Sequence, residues 1–86
     1  MGEKGAVCME KTASLDSIGI GLTVRVASVK GEDIMRRRLM ELGFTPGAVT
    51  IPLASATSGD PTAYWIRGTV IALRAEDAAN IIVATT

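Results

Sequence analysis

Few residues in this sequence could do acid–base, nucleophilic or metal chemistry. There is no histidine, and the single cysteine, Cys8, lies near the start. That excludes His/Cys metal sets and Ser-His or Cys-His catalytic pairs. A lone thiol can form no internal disulfide and has no second cysteine to resolve it. Two pairs of carboxylates are adjacent in sequence, Glu32-Asp33 and Glu76-Asp77. That is ordinary at helix starts, where negative charge meets the dipole, and it is a poor metal-ligand spacing. The glycines make no phosphate cradle, because Gly19-Ile20-Gly21 leads into a strand pattern and no Gly-Lys-Ser/Thr follows a glycine run. Arg36-Arg37-Arg38 is the strongest charge run. It could hold an anion or nucleic acid, or it could be a solvated helix face with Arg37 paired to Glu41 at i+4. Lys+Arg 9 against Asp+Glu 9, with one each of Phe, Trp and Tyr, supplies neither basic excess nor stacking platforms. The solvated face is preferred, and a protein contact by one of these arginines stays open. The expected protein is not an enzyme and uses no cofactor.

The elements around these residues are those of one small domain. A chain of 86 residues, 48% hydrophobic, buries roughly 60% of its extended surface on folding, enough for one modest core. No apolar run makes a signal peptide or a membrane-spanning helix, so a soluble, cytoplasmic protein without membrane insertion is expected. Residues 1–13 lack periodicity and read as a disordered tail; residues 14–86 read as the domain.

Leu22–Val26 alternates as a half-buried strand, with a slip at Ala27-Ser28-Val29 that predicts a bulge or strand end. Between Glu32 and Leu42 the period becomes helical: Met35, Leu39 and Leu42 share a face, with Ile34 beside them. Gly43 takes the left-handed position after the helix and Phe44 packs back on Leu39, the Schellman arrangement. Pro46-Gly47 fits a type II turn. Ala48–Leu53 alternates with Val49, Ile51 and Leu53 on one face, and Pro52 demands an edge or a bulge. After a loop closing with Gly59-Asp60-Pro61, Ala63–Arg67 and Thr69–Arg74 are strands joined or bent at Gly68. Tyr64 and Trp65 point to opposite faces, one to the core and the other exposed or at an interface. A single helical turn within Arg74–Ala79 precedes a last strand at Ile81–Val83. About five short strands, one short helix and a single-turn helix describe a mainly β, SH3-like barrel.

The run Met35–Gly47 resembles the "R-L-x-E-L-G-h-x-P-G" signature of FeoA-domain proteins, the family of ferrous iron transport protein A. Gly59-Asp60-Pro61 is similar to its "G-D-P" element, Arg67–Arg74 to its "R-G-x-x-h-A-L-R" element, and Glu76–Val83 to its closing helix and strand. The resemblance covers about Leu15 to Val83. Trp65, where a β-branched or polar residue is expected, and the long start are its departures.

The resemblance implies an SH3-like barrel and a cytosolic accessory role in bacterial ferrous iron uptake. It further implies action by contact on the cytosolic region of the GTP-dependent membrane transporter FeoB. A chain without histidine is ill equipped to carry Fe²⁺, so it should act on the machinery rather than on the metal. The expected contact surface is the helix end and following turn, Arg38, Glu41, Phe44, Pro46 and Gly47, together with the Gly59-Asp60-Pro61 loop. Met35, Leu39, Leu42, Gly43 and Gly68 are expected to serve the fold. Other readings stay open: an SH3-like ligand- or peptide-binding regulator, a domain like the C-terminal one of metal-dependent repressors, and weak self-association. A nucleic-acid-binding barrel is disfavoured by charge.

Overall fold

The computed structural model describes residues 11–85; Cys8 and the tail up to residue 10 lie outside them. The chain runs β1 (Thr12–Ser14), a 3₁₀ turn (Leu15–Ser17), β2 (Val24–Val29), α1 (Asp33–Glu41), β3 (Val49–Ser55), β4 (Thr62–Ile66), β5 (Thr69–Leu73), α2 (Ala75–Ala78) and β6 (Ile81–Ala84). The strands form one antiparallel sheet in the order β1-β6-β2-β3-β4-β5. The expected mainly β architecture is present, with six strands where about five were expected. The extra strand, Thr12–Ser14, pairs with Ile82–Ala84 at the far end of the chain. Three residues are too few to show a period, so only the partner strand defines it. Among the described residues the sheet does not close, and β1 and β5 are its edges.

The bulge expected near Ala27 is found as a register shift against β6 between Val26 and Ser28. At Pro52 the β2 ladder, two pairs long, has already ended. The Pro52 carbonyl instead accepts from Gly21 N–H at 2.7 Å, and a second bulge falls between Pro52 and Ala54 opposite β4. The missing proline N–H therefore breaks no ladder bond.

Strand β3 shows which of its two faces is the inner one. Val49, Ile51 and Leu53 do share a face, but it is the outer one, while Thr50 and Pro52 are fully buried. The polar residue is tolerated inside because its hydroxyl donates to the Trp65 carbonyl at 2.7 Å. On β4 the two aromatics divide as expected: Tyr64 is buried and Trp65 half-buried on the outer face. Burial raises the Tyr64 phenol above its ordinary value of 10.0, so it stays neutral. Val26, Ile66, Ile81 and Val83 meet Leu15, Leu39 and Phe44 in one core.

Candidate functional site

Helix α1 docks through two side chains one turn apart, Met35 and Leu39. Leu39 is buried and Met35 half-buried, but Leu42, expected inside, is 38% exposed and Ile34 is 78% exposed. Ile34, one position from Met35, turns about 100° away from the docking side, which brings it into line with Arg38 at i+4 and Glu41 at i+7. The outer face of α1 therefore presents Ile34, Arg38, Glu41 and the edge of Leu42. Glu41 also lines an open depression with Asp33, Arg36, Arg37 and Met40. The ion pair formed on this helix is Asp33–Arg36 at 2.9 Å, rather than Arg37 with Glu41.

The stop of α1 is the one its sequence asks for. Gly43 has φ +119, its N–H donates to the Met40 carbonyl at 3.0 Å, and Phe44 N–H donates to that of Leu39 at 3.2 Å. Those are the two bonds of a Schellman cap. Thr45-Pro46-Gly47-Ala48 follows as a type II turn, with Gly47 at φ +93 and Ala48 N–H donating to the Thr45 carbonyl at 2.9 Å. The turn is pinned to β2 from both sides: Gly47 N–H donates to the Val26 carbonyl at 2.8 Å, and Arg25 Nη1 donates to the Gly47 carbonyl at 3.2 Å.

A third tie comes from Arg67, which the sequence reading placed in a strand and gave no role. Arg67 and Gly68 form the two-residue turn between β4 and β5, both with positive φ, +50 and +80. For an arginine that conformation costs about 1 kcal/mol or more. Its side chain offsets the cost: Nε donates to the Gly43 carbonyl at 3.3 Å and Nη2 to Thr45 Oγ1 at 2.9 Å. The available signal was an arginine in a position that hairpins usually fill with Asn or Asp before Gly.

Two expected contact residues have other work. Phe44 is fully buried and cannot meet a partner; the cap that turns the chain back also drives its ring into the core. Asp60 Oδ1 accepts from Ala75 N–H at 2.8 Å and so satisfies the open start of α2. Gly59, Asp60 and Pro61 form a tight loop closed by Gly59 N–H to the Ala56 carbonyl at 2.7 Å and Ala56 N–H to the Pro61 carbonyl at 3.0 Å. This loop sits at the start of β4, while the Arg67 tie sits at its end. The five residues of β4, about 17 Å at the usual strand rise, separate the loop from the helix end. Arg38 and Glu41 thus stand at the end of α1 and Pro46-Gly47 in the turn after it, while Gly59-Asp60-Pro61 lies at the other end of β4. Asp60→Ala is expected to lower stability by about 1 kcal/mol, a few degrees in Tm, with Asp60→Asn recovering most of it. Equal melting of all three proteins would remove the capping role.

Among the described residues there is no group of three or more His, Cys, Asp or Glu able to hold a metal ion. No helix there is long and apolar enough to cross a membrane. The end of α1 offers a turn held by several hydrogen bonds and an exposed helix face.

Fold and surface define a class first: a small SH3-like domain whose distinctive feature is a capped helix locked to the sheet. Residues 13–85 match the FeoA domain, and the chain belongs to that family. It is 33% identical over 67 residues to a fusion of Fe(2+) transport protein A with the Fe(2+) transporter FeoB from Porphyromonas gingivalis, covering 78% of this chain and 8% of that relative. The chain therefore spans a small part of the curated relative it matches. It superposes on an FeoA-like protein of Clostridium acetobutylicum with a TM-score of 0.80 at 32% identity, covering 87% of each chain. The FeoA of Stenotrophomonas maltophilia, solved with zinc and described as a prokaryotic SH3 domain protein, gives 0.71 at 30% identity over 80% of this chain and 86% of that one.

Proposed function

We propose that this protein is a cytosolic, non-enzymatic accessory of bacterial ferrous iron uptake that acts by direct contact on the cytosolic region of the transporter FeoB. The observation that carries the reading is the relative in which the same domain and the transporter are one polypeptide. Fusion keeps two partners at high effective concentration, which is useful when they touch. The Stenotrophomonas relative is described as a candidate activating factor for ferrous iron transport, which agrees.

The contact is assigned to the outer face of α1 and the turn beside it: Ile34, Arg38, Glu41, Leu42, Pro46 and Gly47. Ile34, an isoleucine 78% exposed on a charged helix, contributes nothing to the core where it stands and gains by being covered. The turn is held by bonds to β2 and to Arg67, so little order is lost on docking. In this reading the Gly59-Asp60-Pro61 loop serves the fold rather than the contact.

The test is the variant Ile34→Asp with Arg38→Ala. Both positions are exposed, so melting should shift by no more than about 0.5 kcal/mol per site. Binding to the transporter's isolated cytosolic region is expected to weaken at least about tenfold, a loss of ~1.4 kcal/mol. Iron uptake in cells relying on the variant should fall with it. Wild-type binding and uptake would move the contact off this helix; no binding by the wild-type protein would reject the transporter as partner.

A further inference from the structure

Strand β5 is a free edge of the sheet. It pairs with β4 on one side, and no described residue pairs with the other. Because the turn has two residues, Ile66 and Thr69 close the hairpin as a hydrogen-bonded pair. Alternation then makes Tyr64–Ile71 and Thr62–Leu73 hydrogen-bonded too. The N–H and C=O groups of Val70 and Ala72 consequently point away from β4. The usual guards of an edge are missing: Thr69-Val70-Ile71-Ala72-Leu73 has no charge, no proline and no bulge.

The outer face beside this edge is apolar and ordered by size. One row across the strands is Ile51, Trp65 and Val70; the next is Ala54, Ala63 and Ala72. Val70 is 57% exposed.

We propose that β5 pairs with β5 of a second copy of this chain, antiparallel about a two-fold axis at Ile71, joining two sheets edge to edge. This register sets Val70 against Ala72 of the second copy, and the reverse, so all four free backbone groups on each edge find partners. It also runs the large row of one copy into the small row of the other. On the outer face each exposed valine meets an alanine; on the inner face the half-buried Ile71 meets Ile71 of the second copy at the axis, an apolar pair flanked by Thr69 opposite Leu73. The ends are electrically balanced as well. The turn carrying Arg67 in one copy comes beside Arg74-Ala75-Glu76-Asp77 of the other, two cations with two anions.

The seam is only five residues long and falls short of the ~800 Å² per partner typical of stable dimers. The pair is therefore weak and concentration-dependent, and it uses a surface separate from the α1 face assigned to the transporter.

Sedimentation velocity and ¹H–¹⁵N NMR of the 86-residue chain, from about 20 μM to about 2 mM, test it across the range where weak pairs form. The expected result is a rising sedimentation coefficient with amide shifts centred on Val70, Ile71 and Ala72. Val70→Lys and, separately, Ala72→Lys sit at exposed edge positions, should melt as wild type, and should weaken association at least about tenfold. Concentration independence, shifts centred elsewhere, or a dimer surviving both lysines would overturn the proposal. So would a β5 edge that binds the transporter's cytosolic region and not a second copy. The wild-type dilution series stands by itself should either variant fail to fold.

Discussion

Gly43→Val is expected to lower Tm by roughly 15–30 °C, a loss of about 3–5 kcal/mol. Two independent causes add. The backbone at φ +119 is one that β-branched residues strongly resist. A Cβ there would also meet Ile66 Cγ1 at 3.2 Å and Arg67 Cδ at 3.1 Å, so both the core and the hairpin tie must shift. Gly47→Val separates the two causes. Gly47 has a similar backbone, φ +93, but nothing within 4 Å of an added Cβ, so only the strain of about 1–3 kcal/mol applies. Thermal unfolding by circular dichroism should rank the three proteins wild type, Gly47→Val, Gly43→Val. Equal losses at the two glycines would show that the contacts of Gly43 with the hairpin carry no energy.

Phe44→Ala is expected to cost about 3–5 kcal/mol, the range for emptying a buried aromatic site. Phe44 lies in the cluster with Leu39, Leu15 and Ile66 and is 0% exposed, so no solvent can fill the void without meeting apolar walls. Denaturant unfolding should show the midpoint falling with little change in slope. The alternative role of Phe44, a surface contact, predicts a shift within about 0.5 kcal/mol and a loss confined to partner binding. A variant that melts like wild type yet binds the transporter poorly would restore that role. Phe44→Leu, which keeps most of the volume, should lose under about 1.5 kcal/mol.

These two residues adjoin in sequence yet report different things. The cap at Gly43 is built from bonds among Leu39, Met40, Gly43 and Phe44, all within six residues. A glycine after a helical period followed by an apolar residue was enough to read it. The Pro46-Gly47 turn was legible for the same reason, and so was the bulge at Val26–Ser28, where alternation visibly slips. The two positive-φ residues of the β4–β5 turn were half legible. Gly68 marked the bend, while Arg67 hid its role because its partners, Gly43 and Thr45, lie more than twenty residues away.

The surface proposed for the contact was suggested by the sequence, and burial in the structure changed which residues it can include. The signature run Met35–Gly47 pointed to the helix end, where Arg38 and Glu41 stand, with Pro46 and Gly47 in the turn after it. Ile34 was placed only beside the buried face and given no role, while Leu42, expected to serve the fold, is 38% exposed, because helical period says which residues share a face and not how much of that face the sheet covers. Asp60 read as a contact because nothing near it in sequence shows that Ala75 N–H, fifteen residues on, needs an acceptor.

The sequence by itself determined that the domain is small, mainly β, built around one capped helix, and without histidine chemistry. Those properties follow from composition and from φ/ψ demands and hydrogen bonds within a few residues. Tertiary structure alone decided which side of β3 faces inward. Alternation gives a strand two faces without labelling either, and Thr50 is tolerated inside because the Trp65 carbonyl accepts a hydrogen bond from its hydroxyl. Tertiary structure also decided that three unpatterned residues form β1, because their partner lies about seventy positions away in β6. It decided, finally, that the sheet stays open among the described residues. An edge is defined by the strand that fails to arrive, and no local sequence records that.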